Sequence, residues 1–501
     1  MSALLHGLEV AKRNTYKECW IVIERTVYDV TDFLRVHPGG AALILKYGGK
    51  VSNASYNSTR AIIVSYNVTQ DATEAYYEVH DLSVVQEYLP SSKIKGIVDL
   101  STLPSNARSA TYHVDERHNH EIPLSTCINL DDFAVAAYPK ITERAKAYIS
   151  SAAASLHSLH NNRDDWPKVT FRPRVMTDVT DLDTSCKMLG QRSSYPFFIA
   201  PTGILGIVRR KGELCLAEGA ARSGIHYCVS TVSTTSRQEI MENHTTESKK
   251  HNSTSVLFFQ LYVHSQKSKA LETIATAKAL GYKGLFITVD TPVVGKREAD
   301  QRLRAHADLE GQADIADEVA DATDPVKAGR STGTLSMSLN WGDLVWIRKA
   351  WEGPIVIKGI QCVDDARLAM ENGVEAIYLS NHGGRQLDSA PSSISTLLAL
   401  QLHLPEVFDR CEIYVDGGVT RGTDVVKALC LGARAVGIGR PFLYAMGAYG
   451  TRGVNRAIEI LKEEVDTTMR LVGTTKASNL TARHVNTGVL ERTIFSALSK
   501  L

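Results

Sequence analysis

Residues 376–385 read AIYLSNHGGR, residues 412–418 EIYVDGG and residues 435–441 AVGIGRP. Each begins as a short apolar run and closes on glycine with polar or charged side chains, the pattern of a strand buried on both faces and ending at a functional rim. Five earlier runs repeat it at 197–203, 226–231, 256–263, 284–290 and 354–360, with amphipathic stretches such as 268–280 and 363–372 between them. Eight such alternations predict one α/β domain, a parallel (β/α)8 barrel of about 250 residues or more. Barrels place chemistry at the C-terminal strand ends. There this chain gathers Gln260 and Tyr262, Thr288 and Asp290, Lys358, the run from Ser380 through His382 to Arg385, Asp416-Gly417-Gly418, and Gly439-Arg440. This one-sided clustering predicts an active site. Loops after strands seven and eight are where barrels hold phosphate, so the glycines there, with Arg421 and Arg440, predict a phosphate site.

The rest of the 501 residues leaves room for a smaller partner domain, and a composition with 44% hydrophobic and 22% charged residues supports a sizeable core. With 56 basic against 55 acidic residues, the chain is not built to hold nucleic acid or an anionic membrane. No apolar run reaches membrane-spanning length, and the start, MSALLHGLEVAKRN, has neither a signal-peptide core nor an Arg-rich presequence. The eight cysteines are scattered, without zinc-ligand spacing or a disulfide framework. Ser499-Lys500-Leu501 reads as the peroxisomal address, the alternative being a cytoplasmic protein.

Near the N-terminus, strands are expected at 20–24 and 26–30, then a helical turn from Asp32 to His37-Pro38-Gly39-Gly40. With CWIVI and VYDVTDFL upstream, HPGG resembles the cytochrome b5 fold, a small α+β haem domain expected over 5–95. The resemblance implies His37 as one axial ligand of haem b and His80, in DATEAYYEVHD, as the other. Two imidazoles fill both axial positions and favour electron transfer over oxygen chemistry. The two histidines are 43 residues apart, about twice the family spacing, and residues 51–70, VSNASYNSTRAIIVSYNVTQ, account for the excess. Removing them joins YGGK to DATEAYYEVHD. Val51-Ser52 and Gln70 are codable as splice donor and acceptor, so the segment reads as a retained in-frame intron; a surface-loop insertion is the alternative. Residues 96–122 read as a solvated linker, 123–480 as the barrel domain and 481–501 as a tail.

The strings AIYLSNHGGRQLD, TVDTPVVGKRE, VDGGVTRGTDVVKALCLGA and GIGRPFLYA resemble the FMN-dependent 2-hydroxy-acid dehydrogenase and oxidase family, built on a TIM barrel. Joined to a cytochrome b5-like module, the layout is similar to the flavocytochrome b2 type, which oxidises L-lactate and reduces cytochrome c. The resemblance implies FMN and haem b as cofactors, a small 2-hydroxy-acid substrate and a homotetramer. It also implies His382 as base, Asp290 orienting it, Arg385 and Arg297 on the substrate carboxylate, and Tyr262 and Tyr148 on the substrate. Lys358 would face the flavin, with Gln260, Thr288, Ser230, Ser380 and the Pro201-Thr202-Gly203 backbone around the ring.

Two departures from the family pattern stand out. Tyr148-Ile149-Ser150-Ser151 lacks the second tyrosine, and Gly203 and Val232 are small, so a pocket admitting chains longer than lactate is expected. An oxidase passing electrons from FMN to oxygen, or a non-catalytic haem protein, are the competing readings.

Overall fold

The computed structural model describes residues 4–35 except 7, 8, 11, 16 and 24, and residues 91–99, 122–309 and 335–494. The chain forms two units, Met1–His120 and Glu121–Leu501.

In the first unit, Glu18–Ile23 pairs antiparallel with Thr26–Asp29, the expected hairpin. Asn14–Thr15 and Leu4–His6 complete a five-stranded sheet together with Ile94–Asp99, which lies between Leu4–His6 and Thr26–Asp29. Val10, Trp20, Val22, Val27 and Val98 form its small core. The linker was expected from residue 96, yet residues 96–99 belong to this sheet. Only Gly96 and Val98 of that strand turn inward, too little apolar periodicity to mark it. His37, His80 and residues 51–70 lie outside the described residues, as do most of the expected linker and Ser499-Lys500-Leu501.

The second unit is a closed barrel of eight parallel strands: β1 (Phe197–Ile199), β2 (Tyr227–Ser230), β3 (Leu257–Leu261), β4 (Leu285–Thr288), β5 (Ile355–Ile360), β6 (Ala376–Leu379), β7 (Glu412–Val415) and β8 (Ala435–Ile438). All eight expected runs are present. Successive strand residues face opposite sides, and this alternation gives two cores. Outward residues pack with the helices in one large cluster. Phe198, Cys228, Phe258, Phe286, Val356, Tyr378, Tyr414 and Ala435 pack inside the barrel, with Met188 and Leu189 from a hairpin formed by Cys186–Met188 and Gln191–Ser193. Two residues further along six of the strand paths, on the same face, stand Ser230, Gln260, Thr288, Lys358, Ser380 and Asp416, all buried. A polar ring therefore lies directly above an aromatic plug.

Residues 481–494 are not a free tail. Val485–Asn486 pairs antiparallel with Thr170–Phe171, and Leu490 is fully buried. A two-residue strand is too short for its period to show in sequence. Among the described residues no helix is long and apolar enough to cross a membrane.

Candidate active site

The C-terminal rim brings His382, Asp290, Tyr262, Arg297, Arg385 and Tyr148 together. His382 follows β6 and has φ +61°, a left-handed conformation that non-glycine residues rarely adopt. Ser380 Oγ accepts its backbone N–H at 3.1 Å. Its Nδ1 lies 2.9 Å from Asp290 Oδ1, and its Nε2 lies 3.4 Å from Tyr262 Oη. Burial pushes the imidazole below its usual pKa, the neighbouring Asp290 charge opposing only in part. For Asp290, burial acts upward, but the His382 and Lys358 charges and the hydrogen bonds outweigh it and hold the carboxyl at about 2. At neutral pH the pair is thus a neutral imidazole, its Nδ1–H donated to a carboxylate, with Nε2 left to accept a proton.

Three arginines crowd beside this pair. Arg385 Nη1 donates to the carbonyls of Tyr148 (2.7 Å) and Ser151 (2.9 Å), while Nη2 is buried without a hydrogen-bond partner among the described residues. Its guanidinium lies 4.9 Å from the Tyr148 ring centre. Arg297 is 8% exposed and, among the described residues, its side chain donates only to the Arg385 carbonyl and Gln386 Oε1, each at 3.5 Å. Burial and the adjacent Arg385 charge lower its pKa to about 10. Buried cations without carboxylate partners are costly, so this corner of the rim is built for an anion.

The polar ring is internally bonded. Gln260 Nε2 donates to Thr288 Oγ1 at 2.9 Å, and its Oε1 accepts from Ser230 Oγ at 3.1 Å and the Thr231 N–H at 3.2 Å. Lys358 Nζ donates to Ser380 Oγ at 3.1 Å and lies 4.0 Å from Asp416 Oδ2. Asp416 Oδ1 and Asp290 Oδ2 are buried without a hydrogen-bond partner among the described residues. A rim with a buried ammonium, a fixed amide and such orphaned atoms suits a flat, polar-edged group such as a flavin ring. Pro201 and Thr202 are half-buried in the loop after β1, and Gly203 is buried. Gly439 precedes the helix Arg440–Tyr449.

Several expectations need correction. Arg421 was expected on a phosphate, but its guanidinium pairs with Glu464 at 3.1 Å and is 44% exposed. Arg440 gives Nε, Nη1 and Nη2 to the carbonyls of Ile149, Gly383 and Ser151 at 2.8, 3.0 and 3.0 Å. Two of these carbonyls, Ile149 and Ser151, lie at the end of the helix Glu143–Ser150, where carbonyls lack intrahelical donors, and the third is in the loop after β6. At Gly418 a Cβ would lie 1.9 Å from Asn162 O, so its missing side chain admits the helix His157–Asp164. Tyr148 Oη donates to Gly203 O at 2.8 Å, so its proton is engaged by the chain itself. A Cβ on Gly203 would lie 2.3 Å from Val232 Cγ2, so the valine occupies the space a side chain at 203 would take. Sequence reading missed Ser151, Thr231, Asn162 and Gln386. Of these, only Gln386 carried a signal, its place in the SNHGGRQLD string.

Comparison with known proteins agrees with the geometry. Residues 137–487 match the family model described as FMN-dependent dehydrogenase, and residues 8–62 match that of the cytochrome b5-like heme/steroid binding domain, a match that ends before His80. The L-lactate dehydrogenase (cytochrome) of Wickerhamomyces anomalus is 36% identical over 95% of this chain and 79% of its own length. A peroxisomal (S)-2-hydroxyacid oxidase of Arabidopsis thaliana is 35% identical over 73% of this chain and 98% of its own. The crystal structure of the recombinant flavin-binding domain of baker's yeast flavocytochrome b2 matches with a TM-score of 0.66 at 35% identity, covering 75% of this chain and 90% of that one.

Proposed function

Because the chain belongs to the FMN-dependent dehydrogenase family, we propose that it oxidises a short L-2-hydroxy acid, L-lactate or a close analogue, to the 2-oxo acid. Bound FMN would take the two electrons, and haem b would pass them singly to an external acceptor such as cytochrome c. The observation that carries this reading is the His382–Asp290 pair beside a buried arginine nitrogen that has no hydrogen-bond partner among the described residues.

His382 Nε2 takes a proton from the substrate while Nδ1–H stays on Asp290 Oδ1, and the carboxylate stabilises the imidazolium that results. Arg385 Nη2 meets the substrate carboxylate, as a fixed guanidinium suits. Arg297 adds positive charge where negative charge collects, and the Tyr262 hydroxyl, close to His382 Nε2, orients the substrate oxygen. Lys358, Gln260, Thr288 and Ser230 would hold the flavin ring, the lysine placing a cation where reduction adds negative charge.

Stopped-flow spectra of the purified protein with L-lactate test this. Flavin bleaching followed by reduced-haem bands is expected; flavin turnover with stoichiometric peroxide and no haem signal would make it an oxidase. In His382→Gln, flavin reduction should fall at least about 10³-fold with FMN still bound; near-normal turnover would remove His382 as the base. For location, Ser499-Lys500-Leu501 supports a peroxisomal address, tested by whether deleting it disperses a tagged chain. A homotetramer is part of the same reading, tested by light scattering.

A further inference from the structure

Asp290 and Arg297 lie at the two ends of a segment without regular secondary structure, between β4 and the helix Glu298–Leu309. Something must hold both against the β6 loop that carries His382 and Arg385. Gln386 touches that segment four times. Its Nε2 donates to Asp290 O at 2.9 Å and Val293 O at 3.0 Å, and its Oε1 accepts from the Gly295 N–H at 3.2 Å and from Arg297 Nη2 at 3.5 Å. A primary amide has two donors and two lone pairs, so every one is used on the same segment. Gln386 is only 9% exposed. The two backbones also meet, since a Cβ on Gly295 would lie 2.4 Å from Gln386 O and 2.5 Å from Arg385 O.

We infer that Gln386 is a positioning residue for the oxidation, holding Asp290 behind His382 and Arg297 beside Arg385 through a saturated amide between two rim loops. The inference rests on the reaction proposed above. It explains why a glutamine is used: the amide presents donors to two carbonyls and an acceptor to an N–H and a guanidinium. An ionised glutamate would face the two carbonyls with an acceptor, and leucine would take the amide from all four groups, the buried Arg297 nitrogen among them.

The test uses the flavin-loaded full chain with Gln386→Leu, and Gln386→Glu as a second variant of matching shape. Both should bind FMN as the parent does while kcat/KM for L-lactate falls about 10- to 100-fold, with kcat lowered and KM raised together because both ends of the segment shift. In Gln386→Leu, which adds no charge, the acid limb of the kcat/KM profile should move to lower pH, as it would on loss of the Asp290 charge. Hydrogen exchange read by mass spectrometry should speed up at least about tenfold across residues 290–297. Exchange there equal to the parent's in both variants overturns the inference, as does an unchanged pH profile in Gln386→Leu. If the parent reduces its flavin with no 2-hydroxy acid, the proposed reaction fails, and the exchange measurement still decides the role of Gln386.

Discussion

Asp290 works on His382 through charge as well as geometry, and the two effects separate by pH. Its negative charge raises the imidazole pKa against the downward push of burial. In Asp290→Asn the base therefore stays neutral to lower pH, so the acid limb of kcat/KM moves down. The plateau falls about 10²- to 10⁴-fold, because neither the tautomer nor the imidazolium is supported any longer. A pH–rate series on both proteins checks this, and an acid limb moving upward would show that the charge does not act on His382. His382, Asp290 and Arg385 were legible because their chemistry is in their side chains and their strings are specific. Ser151 was not, because it works mainly through its carbonyl, which every residue possesses. Arg440 was legible as a cation on the rim but not in its partners, since three backbone oxygens leave no mark on the sequence.

Helices and loops differ in how far their positions could be foreseen. Strand ends followed from period and length, because every second residue of a barrel strand must suit the interior. The packing of helices behind the loops did not. Gly418 and Arg421 sit in a glycine-rich loop that reads as a phosphate cradle, yet their contacts go to the helices His157–Asp164 and Thr451–Leu471. Arg440 gives this a testable edge. If its guanidinium anchors the end of the helix Glu143–Ser150, Arg440→Met should destabilise the flavin-free protein by about 3 kcal/mol or more, because buried carbonyls lose charged donors. Urea unfolding of the apoprotein measures it. A normal apoprotein that only fails to hold FMN would assign Arg440 to phosphate alone.

At the scale of the whole molecule, two features outside the rim residues lead to tests of stability and of electron flow. His226 and His244 are buried in the barrel domain, and burial lowers both to about 4. Unfolded, they would titrate near 6.5. The unfolded chain thus binds more protons between these values, so stability is full above about pH 6.5 and falls as pH drops toward 4, by roughly 3 kcal/mol for each histidine. Melting curves across that range should show the loss, with a shallower slope in His244→Gln. In the sequence, residues 51–70 part His37 from His80. The family match to the small domain ends at residue 62, inside this segment. If the two histidines are axial ligands, they must meet across one haem, and twenty added residues between them enlarge the loop that has to close. Deleting 51–70 should raise the haem-to-flavin ratio toward one and increase cytochrome c reduction several-fold, while ferricyanide reduction by the flavin stays within about twofold, since the rim lies in the other unit. Absorbance of the reduced protein and paired acceptor assays measure this. An equal haem ratio in the full chain and the deletion would show the segment to be a tolerated loop. Transcripts that keep its codons at full abundance would show that it belongs to the protein.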